Sequence, residues 1–245
     1  MVHPSLFLYL IVPVLLLRIP LYMVLERRHR AYEIRYREVI WADIGAAILV
    51  IPILQGADLI DSWVLIKPAI PASVMALPLA CRFLLYLLLA DLGHYWVHRL
   101  MHAPWLWRIH KWHHYPTYMY WLAGVRASLP QQVLVNAPYI LAASLLGFSF
   151  VWLAVFISLK NMLQNDWMHL NVPWGNRWLE WIIVTPRYHH VHHSDKPEHY
   201  RANMASLLPI WDHLFGTYVD PETLTERPKF GIGERLPLVR LALGV

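Results

Sequence analysis

The sequence predicts an all-α fold: a polytopic membrane helix bundle of about three spans plus a helical hairpin, with a cytoplasmic histidine-rich helical cap. Hydrophobic residues make up 58% of the 245 residues and charged residues only 15%, with a mean hydropathy of +0.37. Soluble domains carry about 25% charged residues. Apolar runs of membrane-spanning length recur along the chain, and histidines recur at helical spacing. Together these observations favour a membrane protein over a soluble one.

Three apolar segments form the predicted N-terminal spans of residues 1–90. They are Leu6–Leu25, Ile40–Leu54 and Val74–Leu92. Five arginines lie between the first two, within Glu26–Glu38, and the positive-inside rule makes that loop cytoplasmic. The loop Ala57–Ser73 holds a single cation, Lys67, and is therefore predicted to be external. The third span then returns the chain to the cytoplasmic side.

A further apolar stretch is predicted to form a helical hairpin over residues 129–167. Gly147–Ser149 interrupts it, which divides it into helices Leu129–Leu146 and Phe150–Trp167. A single long span would place the histidine motifs before and after it on opposite faces of the membrane. The hairpin keeps them on one side. We therefore predict a single integral membrane domain, 1–245, whose catalytic region is 91–218 and whose C-terminal tail is 219–245.

Histidine spacing is the most specific feature of the chain. Twelve of the fifteen histidines lie between His94 and His199. Residues three and four apart share a helix face. The candidate metal ligands form one HxxxH motif and two HxxHH motifs, namely His98 and His102, then His110, His113 and His114, then His189, His192 and His193. Eight imidazoles are enough for two metal ions and excessive for one.

The imidazole-rich pattern leaves the metal and its chemistry open. Neutral imidazole suits iron, zinc, copper and nickel. Iron with open positions at a membrane boundary would bind dioxygen and attack an unactivated C–H bond of a lipid. A histidine-rich metal carrier or sensor is an alternative, although transport requires ionisable residues lining a path through the spans. The predicted spans hold few, among them Arg18, expected to extend towards the basic end, Asp43 and Arg82. A zinc hydrolase is a third interpretation, but no HExxH motif is present.

Some neighbouring residues are candidates for orienting the ligands. A metal-binding histidine usually donates its other N–H to a carboxylate or a carbonyl. Asp91 and Asp212 are the candidates for that role, and Asp166 is a weaker one. His94, His190 and His199 are ambiguous between ligand, proton-bearing partner and surface residue. We exclude His3, His29 and His213, which lie in the N-terminal tail, the basic loop and the cap.

Charge and cysteine content exclude some classes of partner and site. The net charge of +5 comes largely from loop arginines, so it indicates membrane topology and anionic lipid, and no nucleic-acid partner is predicted. The single cysteine, Cys81, excludes an internal disulfide and a multi-cysteine metal site. The C-terminus carries no basic retrieval signal, and we therefore expect a bacterial inner membrane.

At these motifs the chain resembles the fatty-acid hydroxylase / sterol desaturase superfamily of membrane di-iron oxygenases. The resemblance covers about Asp91 to Tyr218. It rests on the D-x6-H-R-x2-H motif of Asp91, His98, Arg99 and His102, on LWRIHKWHH, on TPRYHHVHH and on WDHLFGTY (Trp211–Tyr218). Two segments depart from the family pattern. Where many members read R-x-H-P-x-E the chain has RASLPQ (Arg126–Gln131), and where they read NYG it has Asn203-Met204-Ala205.

The resemblance implies two iron ions held by the eight histidines above, with His169 as an additional ligand, and O2 as co-substrate. It implies hydroxylation or desaturation of a C–H bond in a fatty acyl, sterol or related lipid, in lipid biosynthesis. Electrons would come from an external cytochrome b5-, ferredoxin- or reductase-type donor, since the sequence contains no fused haem domain. The two departures affect the substrate assignment more than the metal site.

Overall fold

The computed structural model describes residues 4–64, 70–148, 160 and 164–245. Over this part of the chain the fold is all-helical, as predicted, with one isolated β-bridge between Ser194 and Phe230 and no strand. The helices are α1 Pro4–His29, α2 Tyr36–Val64, α3 Ala72–Met75, α4 Leu79–Met101, α5 Trp107–His114, α6 Leu129–Leu145, α7 Asp166–His169, α8 Pro186–His192, α9 Ile210–Phe215 and α10 Leu238–Leu243.

The first two predicted spans lie within longer helices. Leu6–Leu25 falls inside α1, and Ile40–Leu54 falls inside α2. The predicted loop Ala57–Ser73 is wrong in its first half, because α2 continues to Val64. No proline follows Pro52 until residue 68, so no residue of this stretch lacks the N–H that helix continuation requires.

The third predicted span, Val74–Leu92, is shifted and broken. A short helix, α3, ends at Met75, and α4 begins only at Leu79. Pro78 explains the break, because its ring disfavours helical backbone in the preceding residue. At its other end α4 runs on to Met101, so the first HxxxH motif lies at the end of the same helix.

The helix predicted over Leu129–Leu146, the first arm of the predicted hairpin, coincides with α6. The side chain of Ser128 caps its N-terminus by accepting a hydrogen bond from the backbone N–H of Gln131 at 3.2 Å. Helix α6 packs along α4, where Tyr86 and Ala90 contact Tyr139. The second arm, 150–167, lies outside the described residues except for residue 160 and residues 164–167. Within the described parts of the chain, no helix combines the length and the hydrophobicity of a membrane span.

Residues 166–245 form the cap, which consists of short helices joined by hydrogen-bonded loops. Asp91 of α4 fastens the cap to the bundle. Its carboxylate accepts hydrogen bonds from the backbone N–H groups of Leu207 and Leu208 at 3.1 and 3.0 Å, and from Nε1 of Trp211 at 2.9 Å. The aromatic side chains of Tyr95 and Tyr188 are buried between α4 and the cap. The cap is therefore held directly over the end of α4 that carries histidines.

Candidate metal centre

Nine buried histidines form two adjacent groups that could each hold a metal ion. One ligand nitrogen from every member lies within 4.8 Å of the others in its group. The five-histidine group consists of His98, His102, His110, His114 and His192, and the four-histidine group consists of His113, His169, His189 and His193. Every histidine predicted as a ligand is thus brought into one of the two groups.

Each HxxHH motif contributes to both groups, because of helical geometry. In α5, His110 and His114 are four residues apart and share a face, and both belong to the five-histidine group. Their neighbour His113 points into the other group. The second motif reverses the assignment: His189 and His193 join the four-histidine group, whereas His192 crosses to the five-histidine group. The two helices therefore face each other across a shared centre.

Ring nitrogens of different helices approach one another closely. Nε2 of His98 lies 3.0 Å from Nε2 of His110 in the five-histidine group. In the four-histidine group Nε2 of His169 lies 3.2 Å from both His189 Nε2 and His193 Nε2, and 3.3 Å from His113 Nε2. The rings of His114 and His193 stack with centroids 4.3 Å apart, which joins the two groups. Imidazoles converge here from helices that are far apart in sequence.

The opposite ring nitrogens are held by backbone carbonyls. Nδ1 of His98 is 2.7 Å from the carbonyl oxygen of Met204, and Nδ1 of His192 is 3.0 Å from that of Ala202. Nδ1 of His113 contacts the Arg126 carbonyl at 3.2 Å, and Nδ1 of His169 contacts the Asn165 carbonyl at 2.5 Å. A carbonyl accepts from Nδ1–H, which leaves the Nε2 lone pair directed into the group.

The carboxylates predicted from the sequence to orient the ligands therefore do not hold the imidazoles directly. In the described structure both Asp91 and Asp212 accept hydrogen bonds from backbone amides of the cap. Asp212 accepts from the N–H groups of Met204 and Ala205, each at 2.7 Å. Since the Met204 carbonyl contacts His98, Asp212 positions that imidazole through the cap backbone. Asp166 instead pairs with Arg18.

A buried ion pair that sequence reasoning missed supports the four-histidine group. The Arg126 guanidinium contacts Oδ1 of Asp43 at 2.6 Å, and Tyr118 and Tyr120 each donate to Oδ2 of Asp43 at 2.8 Å. Asp43 is fully buried. Because the carbonyl of the same Arg126 contacts His113, this network connects α2 to a ligand. The sequence offered one indication of this ion pair, since Asp43 is a charged residue within an apolar predicted span and needs a buried partner.

The donor set fits a transition metal. Burial lowers the pKa of His98 and of His169 to about 4, so these imidazoles are neutral, the form that binds metal. Nε2 atoms of His102, His114 and His192 are buried without any hydrogen-bond partner in the described structure. A buried polar atom without a partner is costly, and a bound cation would satisfy all three. Imidazole ligands suit iron, zinc, copper and nickel alike.

The remaining histidines lie outside both groups. His94 is buried one helical turn before His98 but joins neither group, and Nε2 of His190 bonds to the Leu170 carbonyl at 3.0 Å. His199 is buried in the cap. His213 stacks on Trp181 at 3.7 Å, in agreement with its exclusion from the ligands. His29 packs against Trp174, and His3 lies outside the described residues.

A first cavity reaches both histidine groups. It has a volume of about 270 Å³, and its wall includes His98 and His110 of the five-histidine group and His113 and His189 of the four-histidine group. Arg18 also lines it, in an ion pair with Asp166 at 2.8 Å, and does not extend towards the basic end of α1 as expected. A separate cavity of about 370 Å³ lies on the side of Trp107 and also reaches both groups, through His102, His114 and His192 of the five-histidine group and His193 of the four-histidine group.

Comparison with known proteins places the chain in a family. Alkylglycerol monooxygenase of Danio rerio is 37% identical over 134 residues, covering 54% of this chain and 29% of that protein. Ornithine lipid hydroxylase OlsE of Rhizobium tropici is 31% identical over 59% of this chain and 44% of that protein. Methylsterol monooxygenase 1-3 of Arabidopsis thaliana is 26% identical over 57% of this chain and 48% of that protein.

The chain thus spans less than half the length of each of these curated relatives, and no solved structure matches it. The family model described as fatty acid hydroxylase matches residues 83–217, which include all nine grouped histidines. This match covers more than half of the 245 residues. As its histidine motifs predict, the chain belongs to the fatty acid hydroxylase family.

Proposed function

We propose that this protein is a membrane-bound non-haem di-iron oxidoreductase that uses O2 to hydroxylate, or desaturate, a C–H bond of a lipid. The observation that carries the proposal is the pair of adjacent imidazole groups opening on one cavity. Each group has the number and type of ligands for one iron ion. Names of the similar proteins, which include monooxygenases and hydroxylases acting on alkylglycerol, ornithine lipid and methylsterol, support a lipid substrate.

The five-histidine group would hold one iron and the four-histidine group the other. Iron bound there would supply the redox chemistry that activates O2. In hydroxylation, one oxygen atom of O2 enters the C–H bond to give C–OH, and the other leaves as water with two protons and two electrons. Desaturation removes two hydrogens from adjacent carbons and yields two waters with the same two protons and two electrons. The electrons would come from an external cytochrome b5-, ferredoxin- or reductase-type donor.

The protein's own part is to orient the substrate and exclude water. Apolar side chains line much of the cavity and favour a hydrocarbon chain, among them Val50, Met101, Leu122, Val135 and Met168. The ligand rings are held at Nδ1 by carbonyls of the cap and of the loop before α6, so the positions of the imidazoles depend on both parts. We propose that residues 91–218 form this catalytic region.

The metal-carrier alternative is disfavoured by the ionisable residues of the predicted spans. A transport path needs polar groups free to bind a passing ion. Asp43 is occupied by Arg126, and Arg18 by Asp166. Arg82 donates to the Leu146 carbonyl at 3.1 Å. These three ionisable groups of the N-terminal spans are therefore engaged in fixed contacts.

Membrane insertion of the N-terminal helices and the hairpin is part of the proposal, with the histidines on the cytoplasmic side of a bacterial inner membrane. The outer faces of the first long helices support it. Leu17 of α1, Trp41 and Ile48 of α2 and Leu84 of α4 are 68%, 73%, 61% and 57% exposed. Large apolar side chains exposed on several long helices favour a lipid or protein environment.

Metal analysis with group-specific variants tests the proposed centre. Detergent-purified, anaerobically prepared protein should contain two irons per chain. His192→Ala removes a ligand from the five-histidine group and His189→Ala one from the four-histidine group, so each variant should retain about one iron. His213→Ala, outside both groups, is the control and should retain both.

One tightly held ion or none in the wild-type protein, or occupancy indifferent to both ligand variants, would contradict the di-iron proposal. Stoichiometric zinc would call for reconstitution with ferrous iron. If the reconstituted protein then failed to oxidise lipid extracts supplied with O2 and a reductant, the oxygenase proposal would fail as well.

A further inference from the structure

The cavity between the two histidine groups contains an unpaired positive charge. The cations on its wall are Arg18 and Lys160, and the carboxylate on its wall is Asp166. Arg18 and Asp166 neutralise each other across 2.8 Å. Lys160 makes no ion pair with any described residue, and its Nζ lies over the ring of Tyr139, 4.4 Å from the centroid. Lys160 is therefore a cation of the wall that has no ion-pair partner among the described residues.

The buried carboxylate of Asp91 attracts the Lys160 ammonium electrostatically, but it does not line the cavity and forms no ion pair with Lys160. Its two oxygens accept three hydrogen bonds, from Leu207, Leu208 and Trp211. Lys160 is half-buried, and an ammonium group partly removed from bulk water is costly unless an anion or several acceptors pair with it. A ring face compensates only part of that cost.

A second polar group on the same wall lacks a partner. Gln131 is buried, at 5% exposure, and its Oε1 accepts no hydrogen bond in the described structure. An amide oxygen accepts from an O–H or N–H group. Gln131 occupies the position of the glutamate in the R-x-H-P-x-E pattern from which this chain departs, so the cavity has here a neutral acceptor in place of a negative charge.

We propose that the cavity binds the anionic headgroup of a lipid, with the Lys160 ammonium paired to its carboxylate or phosphate and Gln131 Oε1 accepting a hydrogen bond from an O–H or N–H group where the headgroup carries one. The proposal rests on the proposed function in treating that lipid as the substrate, whereas the binding itself requires no metal. It narrows the substrate class from lipids in general to anionic lipids.

The geometry also orients the lipid. His98, His110, His113 and His189 line the same cavity as Lys160. A volume of about 270 Å³, as bounded by the described residues, is smaller than the roughly 300–1,000 Å³ that encloses a drug-sized ligand. It accommodates a headgroup and the first few carbons of a long chain. The carbons next to the histidines are therefore those nearest the headgroup, and oxidation is directed there.

Lipid binding to metal-free, detergent-purified full-length protein tests the proposal independently of catalysis. Native mass spectrometry would compare palmitate with 1-hexadecanol, and 1-palmitoyl lysophosphatidate with 1-palmitoylglycerol. Each pair differs in the anionic group, and the two pairs distinguish carboxylate from phosphate. Wild-type protein should prefer one anionic lipid by about 10-fold or more, the usual effect of a charge-assisted contact.

Lys160→Gln should reduce that preference to within about 2-fold, whereas Lys160→Arg should retain it, because arginine keeps the charge. Lys229→Gln, an exposed lysine outside the cavity, should behave as wild type. Equal binding of anionic and neutral lipids by the wild-type protein would overturn the proposal, even if Lys160→Gln did not fold. An unchanged preference in a folded Lys160→Gln protein would also overturn it. The metal analysis described above tests the proposed function separately, because the lipid-binding experiment uses metal-free protein.

Discussion

Gly124 allows the His169 ring to reach the four-histidine group. A Cβ atom at Gly124 would lie 2.5 Å from Nδ1 and 2.7 Å from Cγ of His169, closer than atoms can pack. The ring cannot retreat freely, because its Nδ1 contacts the Asn165 carbonyl and its Nε2 meets three other imidazoles. One added methyl group must therefore displace a candidate ligand.

We expect Gly124→Ala to weaken metal binding in the four-histidine group by about 10–100-fold, the usual effect of disturbing the support of a ligand. Elemental analysis across a chelator series would measure it. The matched control is Gly45→Ala in α2, where a Cβ would meet nothing within 4 Å. That change should leave metal content intact and stabilise the helix by about 0.5–1 kcal/mol. Equal metal retention in the two variants would contradict the packing argument.

The sequence predicted which histidines lie close together, but not how they divide between the five-histidine group and the four-histidine group. Spacing showed that His110 and His114 share a face, as do His189 and His193. The crossing of His113 and His192 into the opposite groups depends on how α5 and α8 face each other, a tertiary property that spacing does not encode. Likewise, the carbonyls that contact the Nδ1 atoms belong to the backbone. Every residue has such a carbonyl, so the sequence does not indicate which ones contact a histidine.

Between elements, the buried pair of Asp43 and Arg126 joins α2 to the loop that supports His113. Removing one partner of a buried ion pair leaves an uncompensated charge and costs about 3–5 kcal/mol, whereas replacing both is often much less harmful. We expect Asp43→Asn and Arg126→Met each to lower the melting temperature and the metal content. The double variant should lose less than the sum of the two, as a thermal double-mutant cycle would show.

The exposed pair of Arg35 and Glu38 is the matched control, since a surface ion pair contributes about 0–1 kcal/mol. Glu38→Gln should change the melting temperature little. If the losses of Asp43→Asn and Arg126→Met simply added in the double variant, the two side chains would not be energetically coupled.

Glu26 joins the end of α1 to the rest of the molecule. Its Oε1 accepts from the backbone N–H groups of Trp121 and Asn171 at 2.8 and 2.9 Å, and its Oε2 accepts from Tyr36 at 3.2 Å. Burial raises the pKa of Glu26 to about 7, although these hydrogen bonds oppose the change. The folded protein thus retains a proton that the unfolded chain releases near pH 4.5, so stability decreases as pH rises from about 4.5 to 7.

Glu26→Gln removes this dependence and preserves the two amide contacts through its remaining oxygen. We expect the variant to gain stability relative to wild type by roughly 2–3 kcal/mol as pH rises from 5 to 8, since wild-type folding takes up a proton over most of this range. Melting temperatures in detergent at both pH values would measure it. Glu33→Gln changes an exposed glutamate and is the control, so its melting temperature should differ from that of wild type by the same amount at both pH values. A Glu26→Gln difference independent of pH would contradict the assignment.

Helix boundaries were predictable where capping residues or prolines mark them in the sequence. Ser128 and Pro130 mark the start of α6, and the prediction there was correct to one residue at the far end. The third span was displaced because hydropathy cannot register the break that Pro78 imposes between α3 and α4. In the cap, Asn203 adopts a positive φ of 53° and its amide bridges Tyr188 and Val219. No periodicity predicts such a loop.

For the whole molecule, the single cysteine provides a test of membrane insertion. Cys81 is exposed at the start of α4, within the third predicted span, so in the cell it is surrounded by lipid, by water or by another protein. A thiolate forms readily only in water, and maleimides react with the thiolate. In intact membrane vesicles we expect Cys81 to resist a membrane-impermeant maleimide and to react once detergent or denaturant is added. Mass spectrometry would measure the labelled fraction.

A cysteine placed on the cap gives the complementary result. Thr225 is exposed in the cap, and Thr225→Cys in a Cys81→Ala background should label rapidly in inside-out vesicles and slowly in right-side-out ones. Together the two positions distinguish insertion from peripheral attachment, because a peripheral protein exposes both cysteines on the same side. Rapid labelling of Cys81 in inside-out vesicles would contradict insertion of α4. The apolar outer faces of α1, α2 and α4 would then have to be covered by another protein.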